Sequence, residues 1–170
     1  MSNLPDNDQE AKDVAKYKKL AQWGMFFAIA LAVGLVALPM SKMRRNNRNR
    51  MVENGQVLYV QHCQKCHGEK AVGEDAAHLA GGLKPDGTFI APALDSTAHA
   101  WHHSNRELFE TVKNGSLDPT SSMKGFKDQL SDEDIAAVLI YLQSLWTNEV
   151  RERHKIMFGD TTRQSSEFNF

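Results

Sequence analysis

From Leu20 to Ser41 the chain carries no charged residue over 22 positions, and the run is rich in Ala, Leu, Val, Phe and Ile. An apolar run of this length crosses a bilayer as a helix, because a helix satisfies its own backbone where no water can. Two other readings compete. A cleaved signal peptide has a shorter apolar region followed by a small-x-small site. Here the run ends in Leu38-Pro39-Met40-Ser41-Lys42, and no such site stands at a suitable place. A core helix would show a polar face, and none interrupts the run. The segment therefore reads as an uncleaved anchor, with Trp23 placed to sit at headgroup level.

The anchor organises the rest. Residues 1–19 form a polar N-terminal segment, 20–41 the transmembrane anchor and 42–50 a basic juxtamembrane linker; 51–147 form a small domain and 148–170 a tail. The net charge of -1 conceals an asymmetry. Residues 1–50 hold nine Lys or Arg against four Asp or Glu, and residues 51–170 hold eleven against seventeen. A nucleic-acid-binding domain would be basic, so the acidic larger part excludes nucleic acid as a main partner. Lys12, Lys16, Lys18 and Lys19 precede the span, and Lys42, Arg44, Arg45, Arg48 and Arg50 follow it. By charge alone this tilts the C-terminal side weakly towards the cytoplasm. The basic segment is suited to lie on anionic lipid headgroups.

Residues 51–62 read as a helix with Val52, Gly55, Tyr59 and Val60 on one face. Gly55 lowers helix propensity, which implies that another helix approaches closely there. Residues 68–103 contain Gly73, Gly81, Gly82, Pro85, Gly87 and Pro92 and read as a loop. A loop so long in a compact domain is functional or wraps something. Ser104 and Glu107 form a capping box for a short helix with Leu108, Phe109 and Val112 on its apolar face, stopped at Asn114-Gly115. Ser131 caps a last helix, with Asp132, Glu133 and Asp134 in the first turn. Its apolar positions are Ile135, Val138, Leu139, Leu142, Leu145 and Trp146. From about Thr147 the tail shows no assignable element. The expected class is all-α, a transmembrane helix followed by a small helical domain.

The two cysteines stand in Cys63-Gln64-Lys65-Cys66-His67-Gly68. A disulfide across so short a loop would be a poor staple. C-x-x-C-H is the haem-attachment signature. Two thiols at this spacing can add to the two vinyl groups of one porphyrin, and His67 then lies under the iron. A zinc half-site would need two further ligands from histidines. A thioredoxin-like pair would need a βαβ context, and no strand pattern is visible. The sequence thus favours one covalent haem c, with Cys63 and Cys66 as attachment points and His67 as an axial ligand. The best candidate for the second axial ligand is Met123, which lies 56 residues after His67 in Ser121-Ser122-Met123-Lys124-Gly125-Phe126. Most methionines fill cores, but this polar loop is poorly explained that way. Methionine raises the reduction potential relative to a second histidine. Met157 and the cluster His99, His102 and His103 are its rivals. Trp101-His102-His103, with His99 and His78 nearby, also admits copper or zinc capture. The plainer reading is a loop of polar histidines packed over the haem.

These residues resemble the class I cytochrome c family over about Val52 to Trp146. Gly55 and Tyr59 stand where that family's first helix crosses its last, and Cys63, Cys66 and His67 match the attachment motif. Ala91-Pro92-Ala93-Leu94 is similar to the family's proline segment, which implies a hydrogen bond from His67 to the Pro92 carbonyl that orients the ring. Met123 followed by Phe126 is similar to the distal loop, with Lys124 where the family usually has proline. Tyr141, Leu142 and Leu145 fit the last helix. The resemblance implies haem attachment outside the cytoplasm. The N-terminus would then be cytoplasmic and the haem domain periplasmic, on a bacterial inner membrane, against the charge count. It further implies an electron carrier, not an enzyme, serving membrane-bound donor and acceptor complexes of a respiratory or photosynthetic chain. The stretch from Ser41 to Arg50 reaches on the order of 33 Å if extended and about 15 Å if helical. So short a tether favours a subunit or close partner of a membrane oxidoreductase. The alternatives are a haem enzyme or sensor with an exchangeable sixth ligand, and a metal-handling assembly protein using the histidine-rich loop.

Overall fold

The computed structural model describes residues 7–118 and 121–159. The chain divides into two compact units, residues 1–47 and 48–170. Helix α1 (Asn7–His62) contains the uncharged run. Every large apolar side chain from Leu20 to Met40 is exposed on it. Among the described residues it is the one helix long and apolar enough to cross a membrane. Pro39 lies inside it and lacks a backbone N–H to donate; nearby, the Ser41 hydroxyl donates to the Leu38 carbonyl at 2.8 Å. Residues 42–50 are helical too. They contain no Gly or Pro, and their Lys, Met and Arg residues favour helix.

The second unit holds the end of α1 and then α2 (Gln64–His67), β1 (Gly82–Leu83), β2 (Phe89–Ile90), α3 (Asn105–Asn114), α4 (Asp132–Ser144) and α5 (Asn148–Phe158). Short 3-10 turns cover Glu69–Ala71 and Ala100–His102. The helix starts follow from their caps. The Ser104 hydroxyl accepts from the Glu107 N–H at 3.2 Å, and the Glu107 carboxylate accepts from the Ser104 N–H at 2.8 Å. Ser131 and Asp134 repeat this reciprocal pair at the start of α4. Helix α4 ends at Ser144, so Leu145 and Trp146 lie beyond it, although Trp146 remains buried.

The end of α1 crosses α4. A Cβ on Gly55 would lie 2.0 Å from the Ala137 carbonyl oxygen, so only hydrogen permits this approach. One turn on, the Tyr59 and Tyr141 rings pack with centroids 5.4 Å apart. Ile135, Val138, Leu139 and Leu142 of α4 complete the core with Phe109 and Val112 of α3. Two polar ties join α3 to α4: the buried Gln143 amide donates to Asn105 at 2.6 Å, and Lys113 pairs with Asp132 at 2.7 Å.

Two elements lie outside the sequence reading. Within residues 68–103, β1 and β2 pair antiparallel with Gly82 opposite Ile90 and Leu83 opposite Phe89. Strands of two residues are too short to show alternation. The second element is α5, in the segment read as a featureless tail. The Thr147 hydroxyl caps it by accepting from the Val150 N–H at 3.3 Å. Its most buried side chain is His154, only 1% exposed. The imidazole packs between Trp146 and Phe158, at centroid distances of 5.1 and 5.0 Å. Its Nε2–H donates to the His103 carbonyl at 3.0 Å. Charged residues dominate α5, and a histidine takes the innermost place, so no apolar stripe marks the helix. The rest of the expected tail, residues 160–170, and residues 1–6 lie outside the described residues.

Two outcomes follow from this packing. Gly55→Ala forces a methyl group into backbone, at a cost of about 1–3 kcal/mol or more that outweighs the ~1 kcal/mol gain in helix propensity. Thermal melts should show a fall of roughly 4–8 °C per kcal/mol lost; an unchanged or raised Tm would refute the close crossing. The second concerns pH. Burial holds His154 below the ordinary imidazole value of 6.5, and the His103 carbonyl pulls it partly back. The unfolded chain therefore takes up this proton more readily than the folded one. The stability His154 contributes is complete above pH 6.5 and declines as the pH falls below that value. Melts across this range should show a shallower acid slope in His154→Gln than in the wild type.

Candidate functional site

The end of α1 runs almost without a break into the cysteine motif. The Cys63 N–H donates to the Tyr59 carbonyl at 2.8 Å, and the Cys66 and His67 N–H groups both reach the Cys63 carbonyl, at 3.1 and 3.0 Å. This winding sets Cys63, Cys66 and His67 at helical offsets of three and four, which share a face. Cys63 is half-buried against the core, Cys66 is exposed and His67 is buried. The His67 Nδ1–H donates to the Pro92 carbonyl at 2.8 Å. A carbonyl can only accept, so the proton is on Nδ1 and the Nε2 lone pair is left available. Burial lowers the pKa of the ring, with the Pro92 carbonyl and Glu74 acting against it. The result favours the neutral imidazole that binds a metal. Burial, reinforced by Cys66, pushes the Cys63 thiol up to about 11.

The loop after His67 is built to bring Pro92 to it. The Tyr59 hydroxyl donates to the Gly68 carbonyl at 2.7 Å, and burial raises its pKa. Lys70 and Ala71 both adopt left-handed backbone, at φ 55° and 66°, a strained choice for residues with a Cβ. Gly73, at φ +89°, donates its N–H to the His67 carbonyl at 2.8 Å. A Cβ on it would meet the Ala93 nitrogen at 2.8 Å, so the chain lies flat against the proline segment. The Leu94 N–H donates to the Ala71 carbonyl at 2.8 Å, and the Glu74 N–H to the Ala91 carbonyl at 3.0 Å. Glu74 also accepts from the Ala91 N–H and pairs with Lys84. From the other side, the Trp146 indole donates to the Leu94 carbonyl at 2.9 Å. The segment around Pro92 is thus held by the motif loop and by Trp146, just past α4.

Met123 lies in the loop joining α3 to α4. Its carbonyl accepts from the Ser116 N–H at 3.1 Å, beside an antiparallel bridge of Gly115 with Lys124. The Phe126 N–H donates to the Val112 carbonyl at 3.0 Å, fixing the other end of the segment. The Met123 side chain is half-buried against the same core that Cys63, Leu94, Leu108 and Phe126 touch. Met157 stands apart on α5 and is 47% exposed.

The remaining histidines do not converge. The His99 and His103 rings are 5.6 Å apart, His102 packs on Trp101 at 3.7 Å, and His78 bonds to Asp75 at 2.8 Å. Among the described residues, no three His, Cys, Asp or Glu side chains gather as a metal site. The turn carries a different signal, one that pattern reasoning missed. The Trp101 Nε1–H is buried and has no acceptor. An unmet buried donor costs about 1–3 kcal/mol.

These features together fit a haem. The thiols sit beside a neutral imidazole with Nε2 available, a thioether borders the same apolar core, and the Trp101 turn holds a buried indole N–H without a protein acceptor. No curated protein and no solved structure matches the chain. Residues 50–142 match the family described as cytochrome c oxidase, cbb3-type, subunit III. That segment contains the cysteine motif, Pro92, Met123 and most of α4, and stops short of α5. The chain therefore belongs to the cbb3-type cytochrome c oxidase subunit III family, and this segment is a cytochrome c domain, a haem-binding electron carrier.

Proposed function

We propose that the protein is a membrane-anchored monohaem c-type cytochrome that passes single electrons along a respiratory chain, as a subunit or close partner of a membrane oxidase. The observation that carries this reading is His67, with Nδ1 held by Pro92 at 2.8 Å and Nε2 left for iron beside Cys63 and Cys66. A bound haem supplies an iron that gains and loses one electron. Cys63 and Cys66 hold the group covalently, so a small core suffices to retain it. Pro92 orients His67 and strengthens it as a ligand. Met123 would offer its thioether as the iron's second protein ligand, a set that leaves no open position for substrate and suits a carrier rather than an enzyme.

The exposed apolar run Leu20–Met40 supports a single membrane span. Maturation of C-x-x-C-H proteins outside the cytoplasm supports a cytoplasmic N-terminus and a periplasmic haem domain on a bacterial inner membrane. The basic residues from Lys42 to Arg50 then lie at the headgroups. The name of the matched family supports an oxidase as the partner. The acidic haem domain would dock on basic surfaces of its donor and acceptor, so its electron exchange with membranes should slow as salt rises.

Absorption spectra of the wild type and Met123→Ala test the reading. The oxidised wild type should show a thioether-to-iron band that the variant lacks. The reduced wild type should not bind carbon monoxide at neutral pH, whereas the variant should. A wild type that binds carbon monoxide readily would favour the enzyme or sensor reading. An unchanged band in the variant would move the sixth ligand to Met157 or a histidine.

A further inference from the structure

Helix α5 lies beyond the residues that match the family, and electron transfer as described above makes no use of it. Yet α5 is tied down at its base and midway along its length. At its base the Thr147 N–H donates to Ser96 at 2.7 Å, and the Arg151 guanidinium donates to the Trp146 carbonyl. Farther along, His154 is buried between two aromatic rings and donates to the His103 carbonyl. His103 is the residue that ends the turn Ala100–His102, which carries Trp101, and its N–H closes that turn on the Ala100 carbonyl. The turn's own bonds are few: His102 N–H to His99 at 2.9 Å and His103 N–H to Ala100 at 3.2 Å. A single 3-10 turn is marginal by itself. Its place depends on what grips it, and α5 does so through His154. The side chain so held is the one whose indole N–H is buried without an acceptor.

We propose that α5 is a strut in which His154 acts as a positioning residue. It holds the Trp101 turn so that the indole N–H meets a carboxylate at the edge of the bound haem. The inference rests on the haem reading above. An N–H donor draws negative charge away from the iron. Its loss stabilises the oxidised state and lowers the potential, since hydrogen bonding around the cofactor is one of the protein's levers on it.

The test is the midpoint potential of the full-length holoprotein in detergent, for the wild type and four variants. Trp101→Phe should lower it by removing the donor. His154→Phe keeps a ring between Trp146 and Phe158 but has no N–H for His103, and should lower it in the same direction. His154→Gln can still donate to the His103 carbonyl and should restore the wild-type value. In the double variant, His154→Phe should add nothing to Trp101→Phe, because it acts through the indole. The inference is overturned if His154→Phe loses thermal stability but keeps the wild-type potential, if Trp101→Phe leaves the potential unchanged, or if the two effects add. Should His154→Phe yield no holoprotein, the indole N–H signal of wild-type Trp101 in proton NMR decides. Slow exchange with a downfield shift supports the bond, and exchange as fast as free indole refutes it. A wild type without covalent haem would overturn the haem reading itself, and that shows in its spectrum before any variant is made.

Discussion

One hydrogen bond, from His67 Nδ1 to the Pro92 carbonyl, joins segments 25 residues apart and sets the state of the imidazole. Because a carbonyl can only accept, the bond fixes the tautomer, the ring plane and the free Nε2 together. Much of the surrounding chain serves it. Gly73 lets the backbone pass within contact of Ala93, Glu74 grips Ala91 through two hydrogen bonds, and Trp146 pins Leu94. The left-handed pair Lys70 and Ala71 turns the chain back towards the proline segment. This strain sits next to His67, where the surrounding bonds over-determine the backbone.

That clamp stands on a second constraint, the crossing of α1 over α4. Gly55 meets the Ala137 backbone, and one turn later Tyr59 packs on Tyr141 and reaches the Gly68 carbonyl. The same tyrosine therefore belongs to the core and to the turn that follows His67. Helix packing and the geometry around His67 are coupled through it, so damage to the crossing reaches His67 by a short path.

Much of this was legible in the sequence. C-x-x-C-H marks its own chemistry, Gly55 announces a close approach, and the two Ser-led boxes place the starts of α3 and α4. These are strong local signals, in which one residue type has one dominant physical reason to be present. Other features gave no such signal. The Glu74–Ala91 tie and the left-handed turn at Lys70 depend on partners many residues away, and the two-residue strands of the β1–β2 ribbon are too short to show alternation. Helix α5 hides behind its charges because its buried member is a histidine. The unpartnered indole of Trp101 looks like any aromatic residue until the burial of its nitrogen is known.

The central claim is that Cys63 and Cys66 hold one haem covalently. Its most direct test is the intact mass of the protein after full denaturation, produced in cells able to mature c-type cytochromes. The wild type should exceed the mass of its polypeptide by one haem, and the variant with both Cys63→Ser and Cys66→Ser should not. A wild type at bare polypeptide mass, or a double variant that still carries the added mass, would contradict the account.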